Sequence, residues 1–128
     1  MDPKDFILEP IQGRSLIIAG DNHNPDLMRK YLENIDLLVH ECTYTQEDYD
    51  HLHVKVLHTT AKELGTVAQK RDVKNLIASH INPRYNKNSS EGVEVIYDEI
   101  AQYYKGRVFI ADDFEVYSLG RDTIVKKL

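Results

Sequence analysis

Short apolar segments alternate with helical segments along most of the chain, and this order restricts the possible fold more than any other feature. The predicted strands cover residues 14–20, 35–39, 76–79 and 107–111. The predicted helices cover residues 25–33, 60–71 and 92–104. The first three strands are continuous apolar runs, which are typical of parallel sheets buried on both faces. The order therefore predicts an α/β chain whose strands pair in parallel through right-handed crossovers.

Local signals support this order. Thr60 and Glu63 form a capping-box pattern, which predicts the start of the middle helix. Weaker strand patterns occur at residues 6–8, 114–119 and 122–128, and a polar loop is expected at residues 84–90. We expect a single domain over residues 1–128, in which 1–13 lead into a core of 14–119 and 120–128 form a tail.

Composition excludes several classes of protein. The chain has 128 residues, enough for one modest core, and its net charge of −5 argues against gripping a phosphate backbone alone. No apolar run approaches the roughly 18 residues of a membrane span, so no membrane partner is expected. The single cysteine, Cys42, excludes an internal disulfide and indicates a reducing, cytoplasmic setting.

Ionisable residues follow four of the predicted strands. They are Asp21, the pair His40 and Glu41, then His80, and the pair Asp112 and Asp113. His58 precedes the middle helix. Because parallel strands end at one edge of a sheet, these side chains should gather there. Aspartate and histidine are ligands of zinc, and a carboxylate beside an imidazole can relay a proton.

Each of these residues also has a purely structural interpretation. His40 suits a core histidine bonded to the backbone, and Glu41 suits a solvated loop acid. His58 could simply precede a helix, and His80 could pack against Tyr85. The acids Asp21, Asp112 and Asp113 could form turns, and His51 and His53 suit solvated loop positions.

Five segments in order resemble the C-terminal half of ribonuclease Z, the tRNA 3′-processing endonuclease of the metallo-β-lactamase superfamily. They are AGDN (19–22), DLLVHECTY (36–44), HTT (58–60), ASHINPRY (78–85) and IADDFEVYSL (110–119). The family has GDT, HEAT and HST where this chain has GDN, HECT and HTT. The resemblance implies half of a four-layer αββα sandwich, a mixed sheet with helices on its outer face.

The resemblance also implies a role for each matched residue. Asp21 would bridge two zinc ions, and His80 would be a terminal ligand of one of them. His58 would donate a proton to the leaving oxygen and be oriented by Glu41, while His40 would support that loop. Arg84 and Tyr85 would lie near the phosphate path, and Asp113 would orient another site residue.

One family motif is missing from the 128 residues. No H-x-H-x-D-H occurs, and His51 and His53 are followed by Val54 and Lys55 instead. We therefore expect the chain alone to bind zinc weakly and to have negligible hydrolase activity. Its expected partner is a missing N-terminal half, or a second copy in a homodimer, docked on the sheet face. RNA or a small phosphodiester would be the substrate.

Two other interpretations stay open at the level of sequence. The chain could be a non-catalytic interaction domain that retains the metallo-β-lactamase half-fold. It could also be an unrelated doubly wound α/β binding module with chance motif matches. Retention of Asp21, Glu41, His58 and His80 together favours the hydrolase.

Overall fold

The computed structural model of the chain describes residues 2–86 and 92–128. The strands are β1 (Leu16–Ile18), β2 (Leu37–Glu41), β3 (Asn75–Ser79), β4 (Arg107–Ile110), β5 (Tyr117–Leu119) and β6 (Val125–Lys127). The helices are α1 (Arg29–Leu32), α2 (Gln46–Asp50), α3 (Ala61–Lys70) and α4 (Glu94–Tyr103). Two 3-10 helices cover Pro3–Phe6 and Pro25–Met28.

The first four strands form one sheet in the order β1-β2-β3-β4, and every neighbouring pair is parallel. Strands β5 and β6 pair antiparallel in a separate two-stranded sheet. The predicted α/β class, with helices packed on a sheet, is confirmed. The parallel and antiparallel strands expected for it lie in two separate sheets, the first all parallel and the second antiparallel. The parallel order places the carboxyl ends of β1 to β4 along one edge.

Helix α3 begins where the sequence predicts. The Thr60 side chain accepts from the Glu63 backbone N–H at 3.2 Å, and the Glu63 carboxylate accepts from the Thr60 N–H at 3.1 Å. This capping box satisfies two of the free donors at the helix start. Helix α3 then packs closely on α4, and Gly65 provides the space for the Ile100 carbonyl.

The parallel sheet has two different faces. The helix-covered face holds the main core, which includes Leu38, Leu76, Ile96 and Ile100. On the opposite face the β5-β6 hairpin covers a smaller cluster of Leu37, Ile77 and Val125. The hairpin contacts the start of this side, where Arg14 Nη1 donates to the Leu119 carbonyl at 2.6 Å, but Leu16 stays 51% exposed and Ile18 stays 73% exposed.

Three local predictions differ from the structure. Residues 6–8 do not form a strand, because Asp2 caps a 3-10 helix by accepting from the Lys4 N–H at 3.0 Å. Strand β2 continues through Glu41 rather than stopping at residue 39, since its pairing with β3 extends to Ser79. The helix at 25–33 is a 3-10 turn followed by the short α1.

Two further expectations concern segments rather than single elements. The polar loop expected at residues 84–90 lies partly outside the described residues. Among the helices of the described residues, none has the length and apolarity that crossing a bilayer requires.

Candidate active site

The site lies at the carboxyl edge of the parallel sheet. Asp21 follows β1, Glu41 is the last residue of β2, and His80 comes directly after β3. His58 reaches the same edge from the segment that leads into α3. The structure thus brings together four residues that the sequence predicts for one site.

Glu41 and His58 form the best-defined contact of the site. The His58 Nδ1 lies 3.0 Å from Glu41 Oε1, and the two side chains are 24% and 2% exposed. The same Oε1 accepts from the backbone N–H groups of Thr59 at 3.1 Å and Asn22 at 3.3 Å. Glu41 is therefore a buried, fully bonded carboxylate and not the solvated loop acid of the structural interpretation.

The segment that carries His58 is held by contacts of Thr59 and Thr60, the two residues that follow it. The Thr59 carbonyl accepts from the Thr43 N–H at 3.1 Å, and the Thr59 hydroxyl donates to the Asn22 carbonyl. A parallel bridge joins Tyr44 to Thr60. These contacts fix the backbone that follows His58. The second nitrogen of the imidazole, Nε2, has no hydrogen-bond partner among the described residues.

Asp21 and His80 form the exposed part of the site. His80 Nε2 lies 3.6 Å from Asp21 Oδ1, with the side chains 48% and 65% exposed. The His80 and His58 rings stack with centroids 5.2 Å apart and planes at 28°. His80 has a φ of 55°, a left-handed conformation that is uncommon outside glycine and often marks functional positions.

The donor set fits a borderline-soft cation such as zinc. Single ligand atoms of Glu41, His58 and His80 lie within 4.8 Å of one another. Glu41 is occupied by its hydrogen-bond donors, however, so binding a metal there would leave those donors unpaired. Among the described residues, the Asp21 carboxylate contacts only His80, and the hydrogen bond of the His80 ring is at Nδ1. Asp21 and His80 Nε2 are therefore available as the oxygen and nitrogen ligands that zinc takes in proteins.

His40 lies in the core behind the site. Its Nδ1 is 2.7 Å from the Glu41 carbonyl, and the Asn22 side-chain amide lies 3.3 Å from its Nε2. This pattern fits a neutral ring that donates from Nδ1 and accepts at Nε2. Burial lowers the pKa of His40, which favours the same neutral form. The ring is the backbone-bonded core histidine of the structural interpretation, and its expected support of the loop stays a prediction.

Arg84 and Tyr85 both contact Asp48 on α2. Arg84 Nη1 lies 3.2 Å from Asp48 Oδ1, and the Tyr85 hydroxyl donates to Asp48 Oδ2. Tyr85 is buried, and this burial together with Asp48 raises its pKa to about 12. Both residues therefore brace the loop after β3 against α2, and their expected place near a phosphate stays a prediction.

Asp113 shares a cleft with His80, and no contact joins the two side chains among the described residues. Both residues line an open cleft of about 780 Å³, together with Pro83 and Asp112. The Asp113 N–H donates to the Asp112 carboxylate at 2.9 Å, and both acids are exposed. The orienting role expected for Asp113 stays a prediction.

Sequence reasoning missed three residues that hold Glu41. They are Asn22, Thr43 and Thr59, whose contacts reach the carboxylate through two backbone N–H groups and one hydroxyl. The contact of Thr43 with Glu41 could have been predicted, because residues two apart in an extended segment point to the same face. The other two donors are backbone groups that no side-chain pattern identifies.

Comparison with curated proteins finds relatives that are named ribonuclease Z. The chain is 33% identical over 124 residues to the protein of Pseudomonas putida strain GB-1, covering 95% of this chain and 39% of that relative. It is 32% identical over 126 residues to the Marinobacter nauticus protein, covering 97% and 39%. For the Bacillus subtilis strain 168 protein the identity is 33% over 104 residues, covering 77% and 34%. The chain thus spans about two fifths of the length of the first of these relatives.

Solved structures give the same picture of the fold. The metallo-β-lactamase fold protein YhfI from Bacillus subtilis aligns with a TM-score of 0.61 at 22% identity, covering 77% of this chain and 37% of that one. Human tRNase Z, short form, aligns with a TM-score of 0.54 at 26% identity, covering 80% and 32%. A comparison with family models finds no match.

Proposed function

We propose that this chain carries part of the active site of a metal-dependent phosphodiesterase. It resembles the C-terminal half of ribonuclease Z, and its fold is part of a metallo-β-lactamase fold. The proposed substrate is RNA, because the relatives are named ribonuclease Z, and the similar human structure named tRNase Z favours tRNA. A small phosphodiester is the other possibility. The observation that carries the proposal is the Glu41–His58 contact standing beside Asp21 and His80 at one sheet edge.

His58 is the proposed proton donor. Its Nδ1 is engaged by the buried Glu41, so a proton for the leaving oxygen would be held at Nε2, which has no hydrogen-bond partner among the described residues. Glu41 would keep the ring in one orientation and stabilise the imidazolium before transfer. The fold positions this carboxylate and imidazole before any substrate binds. The four hydrogen-bond donors around Glu41 stabilise its carboxylate in the ionised form.

Asp21 and His80 are the proposed metal ligands. A bound zinc pair would supply charge stabilisation for the phosphodiester oxygens. The residues of this chain would contribute two of the ligands, whereas tight zinc sites use three or four protein ligands. The chain by itself is therefore proposed to bind zinc weakly and to hydrolyse phosphodiesters negligibly.

The exposed part of the sheet supports a larger functional unit. Leu16 and Ile18 leave an apolar strip at the β1 edge that the hairpin does not cover. The chain also spans only about two fifths of its first relatives. We propose that this strip packs against the remaining part of the enzyme, or against a second copy of the chain.

The test is metal analysis and bis-p-nitrophenyl phosphate hydrolysis by the complete reading frame that contains this chain. Zinc-dependent turnover is expected, and His58→Ala should lower it by about 100- to 10,000-fold. His53→Ala, which changes an exposed histidine in the loop before His58, should leave turnover unchanged. Equal turnover by His58→Ala and the unsubstituted protein would exclude the proposed proton donor.

The same experiment separates the enzyme from the alternative of an interaction domain. A protein without bound zinc and without turnover, in a stable fold, would favour the non-catalytic interpretation. The reading frame itself gives an independent indication, because an H-x-H-x-D-H motif in it would supply the remaining ligands.

A further inference from the structure

The Thr43 hydroxyl lies between the Glu41 carboxylate and the His80 ring. The residue is buried two positions after Glu41. Its Oγ1 lies 2.7 Å from Glu41 Oε2, 3.0 Å from His80 Nδ1 and 3.2 Å from the His80 carbonyl oxygen. The hydroxyl has one proton and so can donate to only one of these three groups.

The proton belongs on the Glu41 side. The contact with Glu41 Oε2 is the shortest of the three, and a bond to an ionised carboxylate is stronger than a bond to a neutral acceptor. Oε2 also has no other described donor, since the Thr59, Asn22 and His58 contacts all go to Oε1. If Thr43 donated elsewhere, this oxygen of a buried carboxylate would be left unpaired, which is costly.

With its proton committed to Glu41, the Thr43 hydroxyl can only accept from His80. The His80 Nδ1 must then carry the hydrogen, and the lone pair of the ring is at Nε2, the atom nearest Asp21. We infer that Thr43 is a positioning residue that fixes the Nδ1–H tautomer of His80 and so presents Nε2 as a ligand. Glu41 thereby sets both histidines, His58 through Oε1 and His80 through Oε2 and Thr43.

The hydroxyl can be tested apart from the backbone. The Thr43 N–H donates to the Thr59 carbonyl at 3.1 Å, and the Thr43 carbonyl accepts from the Asn82 N–H at 3.2 Å. Both bonds survive a change of side chain. Thr43→Val keeps the shape and removes the hydroxyl, and Thr43→Ser keeps the hydroxyl and removes a methyl group.

The experiment is long-range ¹H–¹⁵N NMR of the histidine rings in the metal-free chain at about pH 8, where an ordinary imidazole is neutral. His80 should show a protonated Nδ1 and an unprotonated Nε2 in the unsubstituted chain and in Thr43→Ser. In Thr43→Val the Nε2–H form should become the major one. A wild-type His80 with its hydrogen on Nε2, or an unchanged tautomer in Thr43→Val, would overturn the inference. The wild-type measurement decides even if Thr43→Val fails to fold.

Zinc titration of the same three proteins tests the consequence for binding, which rests on the proposed function. Removal of a group that orients a metal ligand typically weakens binding about 10- to 100-fold, so Thr43→Val should bind zinc at least about tenfold more weakly than Thr43→Ser. If the tautomer changes but the wild-type chain binds no zinc, the positioning role stands and the proposed metal site is wrong. Equal zinc affinity in both variants would overturn the role of Thr43 in ligation.

Discussion

At the scale of single residues, the site depends on one buried carboxylate. Glu41 is 1% exposed and accepts from two backbone N–H groups, a hydroxyl and an imidazole. A buried charge is tolerated only where its hydrogen bonds are complete, so these donors and Glu41 depend on one another. The sequence predicts the pairing of Glu41 with His58, but it does not predict the burial of the carboxylate.

Glu41→Gln should destabilise the chain, because the amide nitrogen would replace one acceptor oxygen and face donors. We expect a loss of about 2–4 kcal/mol in the free energy of unfolding, measured by urea denaturation at neutral pH. Glu9→Gln, at an exposed position near the N-terminus, should change stability by less than about 0.5 kcal/mol. A similar small effect for Glu41→Gln would show that the carboxylate is not needed to satisfy its neighbours.

Asp36 predicts a dependence of stability on pH. Hydrogen bonds from the Lys74 ammonium at 2.6 Å and the Ser15 N–H at 2.8 Å lower the pKa of this carboxyl below its ordinary value of 3.8. A carboxyl whose pKa is lower in the folded chain than in the unfolded chain stabilises the fold at pH values above the unfolded pKa. This contribution is lost as the pH falls through the folded pKa.

The contribution of Asp36 to the pH dependence can be isolated by measuring the free energy of unfolding at pH 5 and pH 3 in variants. The loss of stability between these pH values should be smaller in Asp36→Asn than in the unsubstituted chain. The exposed Asp98 provides the matched control, and Asp98→Asn should lose as much stability as the unsubstituted chain. An equal loss in Asp36→Asn would show that Asp36 has no altered proton affinity in the fold.

At the scale of elements, the best predictions rest on strong local rules. The capping box places the start of α3 correctly, and the apolar runs place the first four strands. The end of β2 was not predictable in the same way, because its extension through Glu41 depends on pairing with β3. The 3-10 turn at Pro3–Phe6 was missed because the strand interpretation considered the apolar residues and not the Asp2 cap.

Gly65 shows where helix packing overrides helix propensity. Alanine usually stabilises a helix relative to glycine by about 1 kcal/mol. A Cβ at position 65 would lie 2.9 Å from the Ile100 carbonyl oxygen and 3.2 Å from Tyr103 Cβ, both on the facing α4. Gly65→Ala is therefore expected to lower the thermal midpoint.

Thr66→Ala is the matched control in the same helix. Thr66 is exposed, and its hydroxyl bonds only to the Lys62 carbonyl one turn earlier. This change should leave the thermal midpoint unchanged or raise it, since alanine has the higher helix propensity. A stabilised Gly65→Ala would contradict the close contact between α3 and α4.

At the scale of the whole molecule, an apolar strip is exposed at the β1 edge. Leu16 and Ile18 belong to the sheet face that the hairpin only partly covers. The pattern of short apolar strands predicts this face, but it does not reveal how much of it the hairpin covers. That covering depends on contacts among β5, β6 and the sheet, which have no periodic signature in the sequence.

Light scattering at high concentration tests whether this strip is an interface. The isolated chain should self-associate, and Ile18→Glu should shift it toward the monomer. Leu57→Glu, which changes an exposed loop residue, should leave association unchanged. A clean monomer of the unsubstituted chain would count against a docking surface for a second copy and leave the proposed N-terminal half as the partner.

We propose that Asp21 and His80 are part of a metal site whose other ligands lie outside these 128 residues. Calorimetric zinc titration of the chain, beside Asp21→Asn and His80→Ala, tests it most directly. The unsubstituted chain should bind zinc with a Kd above about 1 μM, weaker than complete structural sites, and either variant should lose this binding. Zinc retained through gel filtration by the isolated chain, or weak binding that survives both substitutions, would contradict it.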